Sequence, residues 1–141
     1  MAIRPNQVVS TTTPPAIESL SKTVQVTRTD TTAFDAFTLP KGAVISGAYV
    51  IGVTNSDAVT SAVLDIGTNP GTSDEVVDSY NLKTGGDGYY AVGAAGGTAM
   101  GTQLTADTLY KAKFTQVGGD TTGGPWLVKV EYYIPQQGMS F

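Results

Sequence analysis

Four carboxylates carry the most chemical promise in this chain. Asp65 alternates with Leu64 and Ile66 in a short apolar run, and Asp74, Glu75 and Asp78 follow it in a turn-rich stretch. Paired carboxylates can serve as acid and base on a glycosidic bond when they flank a cleft. Oxygen donors in loops, with Asp87 and Asp120 as further candidates, can also hold calcium. Neither pattern is met in full. The spacing departs from an EF-hand loop, and 12 acids in 141 residues bring carboxylates together by chance. The acids therefore read as turn formers whose side chains bond nearby main-chain amides. The expectation is no catalytic residue, no cofactor and no metal. Neither cysteine nor histidine occurs. Thiolate nucleophiles, imidazole bases, disulfides and most zinc or haem sites are thereby excluded.

The aromatic residues offer a different chemistry. Tyr89, Tyr90, Trp126, Tyr132 and Tyr133 could stack on sugar rings, and the same residue types fill sandwich cores and subunit interfaces. Tyr132 and Tyr133 are consecutive, so on a strand they point to opposite faces. Tyr132 continues the alternation of Trp126, Val128 and Val130 toward a core, which leaves Tyr133 facing outward as a candidate contact. Residues 84–103 are rich in glycine, but no Gly-Lys-Ser/Thr follows and no helix is expected, so the phosphate-binding loop patterns are absent. The formal charge is −4 and the 8 basic residues are scattered, which argues against a nucleic-acid partner. Residues 1–20 are polar and proline-bearing, with no apolar run of membrane-spanning length.

Many short strands are needed to position these groups. Thr38 to Thr68 holds two of them. In the first, Ile45, Tyr49, Ile51 and Val53 alternate with Val44, Ser46, Ala48 and Val50. Both faces are apolar, so a central place in a sheet is expected. Ala62, Leu64 and Ile66 form the second run, and the two read as a hairpin across a polar turn. Residues 23–28 and 33–39 read as strands, and residues 76–82 fit a strand or a short helical turn. Residues 108–116 and 126–134 alternate clearly and read as a second hairpin across a Gly/Asp/Thr loop. Only 14% of residues are charged, low for a soluble domain, as expected when much of the surface meets partners. The fold class expected is all-β: an antiparallel β-sandwich, jelly-roll-like, with an immunoglobulin-like sandwich as the alternative. The boundaries are an extended N-terminal arm over 1–20, the sandwich over 21–135 and a short C-terminal tail over 136–141.

The phrase Leu-Pro-Lys-Gly-Ala-Val-Ile-Ser-Gly-Ala-Tyr-Val at 39–50, then Ala-Val-Leu-Asp-Ile-Gly-Thr at 62–68 and an Asp/Gly-rich loop, resembles small all-β structural proteins of tailed bacteriophages. Capsid decoration, or cement, proteins are among them. The resemblance is best over 38–83. It implies a non-enzymatic virion component made in the host cytoplasm, a homo-oligomer (a trimer) and the major capsid protein as partner at the capsid surface. No nucleic acid or membrane partner is expected. Ile3, Val8, Val9, Met139 and Phe141 in the termini, with Tyr133, are the candidate partner-binding residues. The alternative function is a carbohydrate- or receptor-binding module of a tail fibre or tail tip.

Overall fold

The computed structural model describes residues 19–52, 54–84, 90–91, 97–120 and 122–135. Its strands are β1 (Leu20–Val26), β2 (Phe34–Leu39), β3 (Val44–Gly52), β4 (Ser61–Gly67), β5 (Val77–Asn81), β6 (Tyr90–Ala91), β7 (Thr108–Val117) and β8 (Trp126–Tyr133). They form two sheets, in the orders β1-β8-β3-β6 and β2-β7-β4-β5. Every strand pair within them is antiparallel.

The pairing has a simple logic. β4 pairs with β5, β3 with β6, β2 with β7 and β1 with β8, as in one long hairpin. Rolling that hairpin over itself brings β8 beside β3 and β7 beside β4, which closes the two sheets. This is the connectivity of a jelly roll, in agreement with the sequence reading, and it differs from the immunoglobulin-like alternative. Both predicted local hairpins are corrected by it. β3 and β4 lie in different sheets, as do β7 and β8. The segments between them cross from one layer to the other, a choice that alternation within a strand does not encode. Residues 77–81 settle as a strand rather than a helical turn.

The core lies between the sheets and follows the period of two. Val24 and Val26 of β1, Ile45, Ala48 and Val50 of β3, and Trp126, Val128, Val130 and Tyr132 of β8 face it from one layer. Phe37 and Leu39 of β2, Ala62, Leu64 and Ile66 of β4, and Tyr110, Ala112 and Phe114 of β7 meet them from the other. Phe114 and Trp126 stack across the gap, with ring centroids 5.2 Å apart. Ile134, next in the apolar alternation of β8, lies just past the strand end and is exposed. A bulge in β3 corrects a second detail. Ile45 pairs with Tyr132 but Gly47 with Glu131, so one extra residue enters at Ser46. Past the bulge the faces exchange: Ala48 and Val50 join Ile45 in the core, while Tyr49 and Ile51 turn to the outer face. Val53, grouped with them in the sequence, lies outside the described residues.

Candidate functional site

Three of the four carboxylates weighed in the sequence, Asp65, Asp74 and Asp78, come together, while Glu75 bonds Thr68 instead. β4 carries Asp65 on its outer face, between the inward Leu64 and Ile66, yet Asp65 is only 4% exposed. Its cover comes from β5. Leu64 pairs with Tyr80 and Ile66 with Val77, so an extra residue bulges opposite Asp65. Ser79 sits in that bulge at a φ of 50°, a left-handed conformation uncommon for a residue with a side chain. Asp65 holds it there by accepting hydrogen bonds from the Ser79 amide at 2.7 Å and hydroxyl at 3.4 Å. One carboxylate oxygen from each of Asp65, Asp74 and Asp78 lies within 4.8 Å of the others.

Burial raises the Asp65 carboxyl above its ordinary value of 3.8, against the pull of the Ser79 amide, and the charges of Asp74 and Asp78 raise it further. Three oxygens this close can share a proton or accept an oxygen-seeking cation. Other bonds in the same loop tie carboxylates to main-chain amides. Asp74 accepts from the Gly71 amide at 2.7 Å, and Glu75 takes both the Thr68 amide and hydroxyl at 2.8 Å. Elsewhere Asp120 accepts from the amides of Thr122 and Gly123, Asp30 from Thr27, and Asp107 from Lys41. These are the turn-forming roles read from the sequence.

A second arrangement concerns contact rather than chemistry. The two outer faces of the sandwich differ in charge. On the outer face of the β2-β7-β4-β5 sheet, Lys111 and Lys113 alternate along β7, with Asp35 across from Lys111 and Asp65 across from Lys113. On the outer face of the other sheet, Leu127, Lys129, Glu131 and Tyr133 alternate along β8, beside Tyr49 and Ile51 of β3 and Ser21, Thr23 and Gln25 of β1. Its two charges neutralise each other, since Lys129 Nζ lies 3.3 Å from Glu131. Tyr49 lies flat along this face, its hydroxyl against Gly47, where an added Cβ would come within 2.9 Å. Leu127 is 40% exposed here, so an apolar and aromatic strip remains open to a partner.

Of the six predicted partner-binding residues, Tyr133 is placed, half-buried, at the end of that strip. Ile3, Val8, Val9, Met139 and Phe141 lie outside the described residues, as do the side chains of Tyr89 and Tyr90. Sequence reading missed Tyr49 and Ile51 as members of the face, because the β3 bulge that turns them outward has no sequence mark beyond Ser46-Gly47. It also missed Val59 and Val117, which are 80% and 53% exposed at one end of the sandwich. They adjoin there: the Thr60 amide bonds the Val117 carbonyl, and Gly118 packs against Val59.

The eight strands among the described residues have the connectivity of a jelly roll. No family model matches the chain. No curated protein matches it either. Among solved structures it is similar to a chain of the cyanophage Pam1 capsid asymmetric unit, at 18% identity and a TM-score of 0.60, covering 95% of this chain and 99% of that one. It is also similar to a chain of the acidic stable capsid structure of Helicobacter pylori bacteriophage KHP30, at 14% identity and a TM-score of 0.62, covering 86% and 92%. The likeness is one of fold along nearly the whole chain.

Proposed function

We propose that this chain is a non-enzymatic structural protein of a bacteriophage virion, which docks on the outer capsid lattice and reinforces it as a decoration or cement protein. The observation that carries the reading is the likeness of fold, over 95% and 86% of this chain, to chains of two phage capsid structures. The charge-poor strip of Leu127, Ile51, Tyr49 and Tyr133 supports it. A face with few charges loses little hydration on contact, and tyrosine is enriched in such contacts. On this reading the protein is a homotrimer bound to the major capsid protein. The N-terminal arm over 1–20 and the tail over 136–141 reach neighbouring subunits, with Ile3, Val8, Val9, Met139 and Phe141 as anchors. Each contact is small, and lattice symmetry multiplies it.

The test titrates purified protein onto capsids that lack it, with bound copies counted after sedimentation. Saturable binding that Leu127→Ala with Tyr133→Ala weakens is the expected result. Absence of saturation, together with glycan-array binding lost in Tyr133→Ala, would favour a tail-fibre sugar-binding module instead.

A further inference from the structure

Each sheet of a sandwich ends in strands whose outer amides and carbonyls need cover. The four edges here are unequal. β6 spans two residues. β5 is bent by Ser79 at φ 50° and by its register shift. β2 shifts register between Asp35 and Phe37 and carries Asp35 outward. Such features spoil an edge as a template for another strand. β1 has none of them. Its seven residues pair with β8 in unbroken register from Leu20↔Tyr132 to Val26↔Trp126, and Lys22 is its single charge. Among the described residues, nothing pairs with its other side.

The chain offers a segment suited to that edge. Between Pro5 and Pro14 runs Asn-Gln-Val-Val-Ser-Thr-Thr-Thr, residues 6–13, without charge or proline. Five of its last six residues, Val8, Val9, Thr11, Thr12 and Thr13, are β-branched, the types that favour extended backbone. Extended, the segment spans about 26 Å, against about 23 Å for β1. Pro14-Pro15 and residues 16–19 join it to β1, and a proline pair favours extended backbone over a tight turn. We propose that residues 6–13 of one copy add as a strand to the free edge of β1 in a second copy, so that exchanged arms hold the oligomer together. This deepens the reading of the arm given above by naming its partner. It concerns the free protein, so it can fail while capsid docking stands.

The absence of native cysteine makes the test direct. Cysteines placed singly at positions 8 to 12 are each combined with Thr23→Cys on β1, oxidised, and resolved on non-reducing gels. The expected result is a disulfide between two chains for at least one pair, and none when Thr38→Cys on the β2 edge replaces the β1 partner. Because strained pairs can fail to form, hydrogen exchange of β1 is measured as well in the full chain and in a chain lacking residues 1–13. Edge amides in β1 are expected to exchange about tenfold faster in the shortened chain, as loss of a hydrogen bond implies, with β7 amides unchanged. Disulfides confined within one chain, equal linkage to position 38, or β1 exchange indifferent to the deletion would overturn the proposal.

Discussion

Asp65 and Glu75 show how two carboxylates of one loop can pull stability in opposite directions with pH. Burial raises the Asp65 carboxyl, so the folded chain holds that proton more tightly than the unfolded chain does. Its contribution favours folding below the ordinary carboxylate range and is lost as pH rises through the raised value. Glu75 differs. Burial raises it too, but the Thr68 amide and hydroxyl together with the Glu75 backbone amide outweigh burial and leave it lowered, so its contribution is present above the ordinary value and lost as pH falls. Asp65→Asn keeps an oxygen for the Ser79 amide and removes the charge. It should hold or raise the urea midpoint at neutral pH and abolish the decline above pH 3.8, measured by denaturation across the acid range. Asp65→Ala strands the Ser79 amide beneath the bulge and should cost about 1–3 kcal/mol. Glu75→Ala removes the acceptor of two bonds and should cost about 1–2 kcal/mol at neutral pH, with the deficit shrinking in acid. The sequence showed these acids as loop formers. It did not show that Asp65 is buried, because on β4 alternation assigns it to the solvent side and its bonding to the Ser79 bulge depends on strand pairing.

At the scale of elements, alternation made most strands legible: β1, β2, β4, β7 and β8 stand close to where apolar residues recur at every second position. Pairing was less legible. In a jelly roll the partners of an outer strand come from the far end of the chain, as β1 and β8 do, and local turn chemistry cannot specify them. Close backbone approach also escapes sequence patterns. Gly67 ends β4 where an added Cβ would stand 1.8 Å from the Ser73 carbonyl oxygen, and at Gly97 it would stand 2.1 Å from that of Glu75. Both obstacles are main chain and cannot swing aside. Gly67→Ala and Gly97→Ala should each cost at least about 2 kcal/mol, read as a fall of several degrees in thermal midpoint. Phe114→Ala removes one half of the stack with Trp126 from the centre of the core and should cost about 3–5 kcal/mol by chemical denaturation. Leu127→Ala and Tyr133→Ala, on the open face, should leave stability within about 0.5 kcal/mol while weakening partner contact.

For the whole molecule, the jelly roll, the unequal faces and the β1 edge left unpaired among the described residues all concern what the protein could touch. The fold class was legible because many short alternating runs, turn-rich connections and no amphipathic helix admit few architectures. The open apolar face proposed for contact was legible only at Tyr133; its other members depend on a bulge and on which strands become neighbours. A chain lacking residues 1–18 should still fold as a jelly roll, since the core residues run from Val24 to Tyr132, yet occupy capsids less fully. The most direct measurement is an electron cryomicroscopy map of a phage particle assembled in the presence of this chain. The account predicts jelly-roll density repeated at symmetry-related positions on the outer capsid surface, with the Leu127–Tyr133 face turned toward neighbouring subunits. A particle whose shell lacks this density, or density with that face open to solvent at every position, would contradict it.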